Sequence, residues 1–316
     1  MTDDQNTHPL VSVYIPTKNR LPLLQRAVAS VLQQTYPHIE LVVADDGSTD
    51  GTREYLRELA ASGKCVAVFL PVSEGACAAR NAAISLTTGE FLTGLDDDDY
   101  FLPQRIECFV QRWMELSAHG ETDGIAGLFD SARWIGHAME RTLFDRACAH
   151  PSDLAAACAV GTQVFSTRER FAAAGLFDNA MQIWQDWDLW LRMAHRYGQF
   201  IGIRTCTYVI DATHQRERIS DRSESAVRRA AQLFAAKHYA SAPIQRFRIR
   251  AVFVDYPQVR LGLLELAGLF AIGSRRAVGR YLLRHTVGPD LYDQIRRRLS
   301  GWSVFFVKLR SGGLRR

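Results

Sequence analysis

The sequence has few cysteines and none of the spacings that build a covalent or metal framework. Its six cysteines are spread over 316 residues, and no two form a Cys-x-x-Cys pair. A disulfide scaffold and a structural zinc site are therefore not expected. No apolar signal segment opens the chain, and the best apolar run, 261–272, is interrupted by Glu265. These absences predict a chain without a spanning helix, in a reducing, cytoplasmic compartment.

Glycine-rich nucleotide motifs are also missing. The chain has no Gly-x-x-x-x-Gly-Lys-Ser/Thr sequence and no Gly-x-Gly-x-x-Gly after its first predicted strand. Neither a P-loop nucleotidase nor a dinucleotide-dependent dehydrogenase is supported. An EF-hand calcium loop is not supported either, because Tyr100 stands at a ligand position of the acidic run and no glycine follows it.

What the sequence does contain is a run of four carboxylates, Asp96, Asp97, Asp98 and Asp99, directly after the apolar segment 91–95. Adjacent carboxylates at the mouth of a buried strand repel each other unless a cation is present. Carboxylate, water and phosphate oxygens suit Mg²⁺ or Mn²⁺. The run indicates a metal and diphosphate site, and a solvated acidic turn is the alternative.

The first hundred residues alternate between apolar β-rich runs and helical patterns. The predicted strands are 11–15, 41–44, 66–70 and 91–95, with amphipathic helices between them. This alternation predicts an α/β fold of Rossmann-like type, with a predominantly parallel central sheet covered on both faces. Ligands bind at the carboxyl ends of such strands, where Thr17, Asp45, Asp46 and the acidic run fall.

Charge divides the chain unequally. From residue 241 onward there are fifteen Arg or Lys and four acids, a net charge of +11, which leaves −7 for the first 240 residues. This difference and the composition predict a boundary near residue 240, followed by a basic helical C-terminal segment (241–316). Before it, we expect a nucleotide-binding half with regular strand–helix alternation (1–110). The less regular elements that follow are expected to form an acceptor-binding half (111–240). A basic segment on an acidic body predicts contact with something anionic.

Several segments together resemble the amino half of the GT-A, family 2 inverting glycosyltransferases, of the bacterial polysaccharide and lipopolysaccharide type. Their order and spacing carry the resemblance, which does not include the basic segment. The matching segments are 11–20, 30–36, 45–50, 79–81, the acidic run and 186–192.

The resemblance implies transfer of a sugar from a nucleotide-sugar donor, by default a UDP-sugar, to a glycan or lipid-linked glycan acceptor. It also implies a Mn²⁺ or Mg²⁺ cofactor and no nucleic-acid partner. Residues at the positions of Thr17 and Asp45 hold uracil and ribose in such proteins, and Asp97 would contact ribose or sugar. The full set of donor-binding candidates is Pro16, Thr17, Asn19, Arg20, Asp45, Asp46, Arg80, Asp96 and Asp97.

The resemblance also assigns the metal ligand and the base. The spacing to Pro103 and Arg105 in the family pattern places the metal ligand at Asp98. Asp186 corresponds to the general base that takes the acceptor proton, with Asp188 as a second candidate because Gln185 replaces the acid often found there. His214 and Arg218 are secondary candidates for contact with the metal or a phosphate.

Most of these residues could instead have a purely structural role. Asp45 and Asp46, followed by Gly47, also suit a turn, Arg80 suits a surface salt bridge, and Asp186 suits a helix cap. The basic segment suits helices that lie on an anionic membrane surface, which would be the inner face of the cytoplasmic membrane. Packing against the rest of the chain and an oligomer contact are the alternatives. A sugar nucleotidyltransferase and a catalytically silent nucleotide-sugar-binding protein are the rival functions.

Overall fold

The structure is a computed structural model and describes residues 8–137, 139–214, 223–256 and 258–287. Arg218 and the part of the basic segment after residue 287 lie outside the described residues. The chain forms two compact units, 1–219 and 220–316. The division precedes the change in charge near residue 240, so the three-part organisation expected from the sequence stays a prediction.

The amino-terminal part alternates strands and helices, as the pattern of apolar runs predicts. The first strand is buried along its whole length, and Pro22 stands in the first turn of the first helix, where its missing N–H costs nothing. The elements are β1 (Val11–Thr17), α1 (Leu21–Leu32), β2 (Ile39–Asp45), α2 (Thr52–Ala61), β3 (Val66–Phe69), α3 (Ala76–Ser85) and β4 (Phe91–Gly94).

The next part is less regular, with short strands and helices of uneven length. Its longest helices have 14 and 13 residues. The elements are β5 (Tyr100–Phe101), α4 (Arg105–Ala118), β6 (Ile125–Phe129), β7 (Ala132–Gly136), β8 (Met139–Leu143), β9 (Cys148–Ala149), α5 (Pro151–Leu154), β10 (Phe165–Thr167), α6 (Arg168–Ala173), α7 (Gln185–Tyr197), β11 (Gln199–Gly202) and β12 (Tyr208–Asp211).

Within the described residues, eight strands form the main sheet in the order β3-β2-β1-β4-β10-β6-β11-β9. The pairs formed among β1 to β4 are parallel, whereas β10 lies antiparallel to both β4 and β6. A smaller sheet has the order β5-β12-β7-β8. The predicted α/β fold with a mostly parallel sheet is confirmed.

Two features of the sheet set the position of the acidic run. The register pairs Thr17 with Asp45, so the ends of β1 and β2 are adjacent. Next to them, β4 ends at Gly94, where an added Cβ would overlap Gln163 Oε1 and the Tyr14 ring. A residue without a side chain is needed there, and the four carboxylates begin just beyond it.

The core on one face of the sheet is built from stacked aromatic rings. The Phe165 ring lies parallel to Phe91 and Phe109, with centroids 4.9 and 5.1 Å away, and Trp113 packs edge-on against both Phe91 and Phe165. These rings join β4, β10 and α4, and so fix the strand that carries the acidic run.

The second unit is helical in its described part. Its buried apolar side chains include Phe234, Phe253 and Leu269. The elements are α8 (Glu224–His238), α9 (Pro243–Arg248), a 3-10 helix (Ile249–Asp255), α10 (Leu263–Ala271) and α11 (Arg275–Val287). Among the described helices of both units, none has the length and apolar character needed to cross a bilayer.

Candidate functional site

The two central carboxylates of the acidic run, Asp97 and Asp98, contact residues at and just after the end of β1. Asp97 accepts a hydrogen bond from Thr17 Oγ1 at 2.7 Å, and Arg20 Nη1 lies 3.0 Å from Asp97 Oδ1 and 2.9 Å from Asp98 Oδ2. The structure therefore brings together Thr17, Arg20, Asp97 and Asp98, four residues singled out from the sequence.

Burial raises the pKa of Asp97 to about 6, because desolvation disfavours the carboxylate. The neighbouring Arg20 cation opposes that rise, and the Asp98 charge adds to it. Such a carboxylate is ionised at neutral pH and takes up a proton under mildly acidic conditions. Perturbed carboxylates of this kind are concentrated at functional sites.

His214 lies against the other carboxylate. Its Nε2 is 3.2 Å from Asp98 Oδ2, yet neither buried ring nitrogen makes a hydrogen bond of good geometry within the described residues. Buried polar atoms normally have a partner, so an imidazole with unused ring nitrogens beside a carboxylate is suited to bind a ligand. No group of three or more His, Cys, Asp or Glu among the described residues is arranged to hold a cation.

Asp96 and Asp99 are engaged by neighbouring side chains. Asp96 pairs with Arg80 at 2.8 Å and accepts a hydrogen bond from Gln163 at 3.1 Å. Asp99 accepts hydrogen bonds from the Tyr208 hydroxyl at 2.9 Å and from a backbone N–H at 3.1 Å. These contacts hold the two ends of the run and leave the central pair facing Arg20 and His214.

Arg80 is buried in α3 rather than exposed on the surface. One guanidinium nitrogen binds Asp96, and the group lies 5.2 Å from the centre of the Phe177 ring. Its Nε and Nη1 have no hydrogen-bond partner among the described residues. A buried cation with two unused donors is suited to an anionic ligand.

The candidates at the ends of β1 and β2 mainly hold loops. Asp45 pairs with Arg53 at 3.0 Å, whereas Asp46 accepts hydrogen bonds from Ser73 Oγ and the Glu74 N–H, both at 2.7 Å. Asn19, with a φ of 52°, accepts a hydrogen bond from the Thr49 N–H at 2.7 Å. Pro16 lies in β1 beside Ala44 of β2. Their predicted contact with the donor stays a prediction.

The two acids of α7 have different environments. Asp186 is partly exposed in the first turn of the helix, whereas Asp188 is fully buried and pairs with Arg192 at 2.8 Å one turn along. Gln185 is buried, and its side-chain oxygen accepts a hydrogen bond from Cys77 at 3.0 Å. Of the three neighbours, Asp186 is the one that combines access with a carboxylate.

Desolvation raises the pKa of Asp186 to about 6, against the lowering effects of the Trp187 backbone N–H and the Arg80 charge. The Asp96 charge adds a smaller increase. Asp186 is thus within electrostatic reach of the Arg80–Asp96 pair. A carboxylate with this pKa is ionised at neutral pH and basic enough to accept a proton.

A cavity of about 400 Å³ lies beside α5 and is lined by Ser152, Asp153 and Cys158 among others. Burial, followed by the Asp186 charge, raises the pKa of the Cys158 thiol, so this lining residue is within electrostatic reach of Asp186. The Trp187 indole also donates a hydrogen bond to the Leu154 carbonyl at 2.5 Å, which ties α5 to α7.

The family model for glycosyl transferase family 2 matches residues 12–170, about half of the chain. The chain belongs to glycosyl transferase family 2. It is a glycosyltransferase, and the family resemblance predicted from the sequence is confirmed.

One relative covers most of the chain. WcaA of Escherichia coli (strain K12), whose name assigns it to colanic acid biosynthesis as a glycosyl transferase, is 32% identical over 213 residues, covering 66% of this chain and 74% of WcaA. The chain spans less than half the length of other relatives that it matches.

Solved structures share the fold of this glycosyltransferase. Residues 1–349 of TarS from Staphylococcus aureus, in complex with UDP-GlcNAc, match with a TM-score of 0.58 and 15% identity over 86% of this chain and 89% of that one. The mannosyltransferase PcManGT from Pyrobaculum calidifontis, with GDP-Man and Mn²⁺, matches with a TM-score of 0.51 and 18% identity over 94% and 81%. At these identities the likeness shows the fold alone.

Proposed function

We propose that this glycosyltransferase is metal dependent and inverting, and transfers a sugar from a nucleotide-sugar donor, by default a UDP-sugar, to a hydroxyl of a glycan or lipid-linked glycan. The name of WcaA supports a role in cell-surface polysaccharide synthesis. The sugar nucleotides bound by TarS and PcManGT support the donor class. The observation that carries the proposal is the unsatisfied His214 beside Asp98.

Asp98 and His214 fit two adjacent ligand positions of a small divalent cation. Ligand atoms about 2.1 Å from an octahedral ion lie about 3.0 Å apart, close to the observed 3.2 Å between Oδ2 and Nε2. Mg²⁺ binds through one or two protein groups together with waters and substrate phosphates, so two ligands suffice. When bound, the cation would neutralise charge developing on the departing diphosphate.

The remaining residues would bind the donor and activate the acceptor. Thr17, Arg20 and Asp97 would position the donor, and the unused donors of Arg80 would meet a phosphate oxygen. Asp186 would take the proton of the acceptor hydroxyl as its oxygen forms a bond to the anomeric carbon. The bond to the diphosphate breaks on the opposite face, so the anomeric configuration inverts and the nucleoside diphosphate leaves with its electron pair.

The acceptor would enter through the cavity beside α5. Its lining residue Cys158 is within electrostatic reach of Asp186, and the cavity belongs to the half of the first unit that the sequence assigned to the acceptor. Polar groups such as Ser152 and Asp153 suit the hydroxyls of a sugar. We place the enzyme in the cytoplasm, as the scattered positions of its six cysteines in the sequence indicate.

A thermal-shift panel tests the donor and the cation together. We expect UDP-sugars to raise the melting temperature in the presence of Mn²⁺ more than GDP- or dTDP-sugars, and to lose most of that effect in EDTA. A ligand at a hundred times its dissociation constant stabilises a protein by about 2.7 kcal/mol, which is a readily measured shift. No shift with any nucleotide sugar would contradict the proposal, and an equal shift in EDTA would contradict the role of the metal.

The pH dependence of turnover is a second expected result. Because the pKa of Asp186 is raised to about 6, kcat should fall on the acid side, about tenfold per pH unit once the carboxyl is protonated. Release of UDP at saturating donor, measured from pH 5 to 8, reports this change. Asp97 also has a pKa of about 6, and its protonation should change donor affinity. Donor affinity measured over the same pH range therefore distinguishes protonation of Asp97 from protonation of Asp186. A kcat that stays constant down to pH 5 would contradict the assignment.

A further inference from the structure

Helix α10 of the second unit carries an apolar stripe that faces solvent. Leu263 and Leu264 are 85% and 89% exposed, and Phe270 is 52% exposed. Ala267 and Ala271 are exposed as well, so the five residues follow the spacing i, i+1, i+4, i+7, i+8 of a single helix face. Contiguous exposed apolar surface of this kind marks an interaction site.

The buried and charged residues of α10 lie on the side of the helix opposite the stripe. Leu269 is buried in the second unit. Glu265, the one acid of the helix, is bound by Arg228 at 3.0 Å and by Arg250 at 3.5 Å. The stripe is therefore free of carboxylates, and its apolar character does not serve the packing of the unit in its described part.

Cations border the stripe. The Arg275 guanidinium lies 5.1 Å from the centre of the Phe270 ring, and both Arg275 and Arg276 are exposed. The sequence between residues 241 and 287 holds eight arginines and two acids. An apolar helix face bordered by arginine is the composition of a helix that lies in a membrane interface.

We propose that the α10 stripe inserts into the interfacial layer of an anionic lipid bilayer, with Arg275 and Arg276 against the lipid headgroups. The helix has nine residues, too few to span the hydrocarbon core, so it lies on the surface. A second copy of the chain is a poorer occupant, because apposing two such faces would bring their arginines together. The inference rests on the second unit and not on the proposed catalytic function.

Liposome flotation tests the stripe directly. We expect the whole protein to float with vesicles of phosphatidylcholine and phosphatidylglycerol, and Leu263→Glu/Leu264→Glu to lower the bound fraction at least about tenfold. Both glutamates fall in or beside the first turn of α10, where acids are compatible with the helix dipole, so the variant should fold. An unchanged melting temperature checks this.

A matched control separates apolar insertion from simple charge attraction. Leu32→Glu/Leu86→Glu makes the same chemical change at two exposed leucines, 47% and 43% exposed, in the first unit. This control variant should bind vesicles like the wild type. Arg275→Gln/Arg276→Gln should bind vesicles less, and its binding should change less with salt concentration. Equal loss in the control variant, or no flotation of the wild type, would overturn the proposal. So would self-association without lipid that the stripe variant abolishes.

Discussion

Asp98→Ala is expected to abolish metal-dependent donor binding and to lower turnover by at least about a hundredfold, the scale of several kcal/mol of charge stabilisation. The reason is that Asp98 supplies a carboxylate at 3.2 Å from the His214 Nε2, which has no hydrogen bond among the described residues. Isothermal titration with UDP and Mn²⁺ measures the binding without relying on turnover. The substitution removes the contact between Arg20 and Asp98 but relieves repulsion on Asp97, with which Arg20 stays paired, so the metal-free protein should keep its melting temperature.

His214→Ala serves as the companion variant. It removes the second proposed ligand and leaves the acidic run intact, so Mn²⁺ affinity should fall while UDP binding in EDTA stays the same. A control that removes a distant exposed acid, Glu115→Gln in α4, should change neither quantity. An Asp98→Ala enzyme that remains active, or full wild-type activity in EDTA, would show that the site does not work through a cation.

Local patterns in the sequence were sufficient to predict the sheet and the place of the acidic run. The alternation of apolar runs and amphipathic helices follows from burial on both faces of a parallel sheet, and it holds from β1 to β4. The antiparallel insertion of β10 between β4 and β6 could not be predicted, because it depends on pairing between residues far apart in the chain. The uneven spacing of the middle strands gives no local signal for that order.

The same limit explains which site residues were missed. Gln163 links the Tyr14 hydroxyl to Asp96, and Tyr208 holds Asp99, but neither lies in a recognisable motif. Arg26 donates from α1 to the Asp98 carbonyl at 2.5 Å, in a position that the helical pattern marks only as polar. Such residues support the acids from other elements, so only the three-dimensional structure identifies them.

Some predicted residues have contacts that hold loops in place. Asp46 caps the loop before α3, and Asn19 holds the loop after β2. These hydrogen bonds join loops that are 27 to 30 residues apart in the chain. The turn that the Asp-Asp-Gly sequence left open is held by Asp45 instead, which accepts a hydrogen bond from the Ser48 N–H at 3.2 Å. For Arg80 the surface alternative does not hold, because the side chain is buried with two unused donors in the described part of the structure.

Asp186→Asn is expected to lower turnover by roughly a hundredfold or more, the usual scale for the loss of a general base. Asparagine keeps the size and hydrogen-bonding reach of the side chain but cannot accept the proton of the acceptor hydroxyl. Donor affinity should be almost unchanged, because a group that acts in the transition state contributes little to ground-state binding. Turnover, measured as UDP release, and the donor dissociation constant together distinguish an enzyme from a silent binding protein.

Asp188→Asn provides the matched control two residues away on the same helix. Asp188 is fully buried and paired with the half-buried Arg192, so its neutralisation removes the carboxylate partner of that cation and should lower the melting temperature while turnover of the folded enzyme is kept. The melting temperature of Asp186→Asn should not fall. Desolvation raises the pKa of Asp186, so its ionised form is disfavoured in the folded state and a neutral side chain removes that cost. If Asp188→Asn is inactive and Asp186→Asn active, the base is Asp188. If both are active, helix α7 carries no catalytic acid, and the proton of the acceptor must be taken by a group outside it.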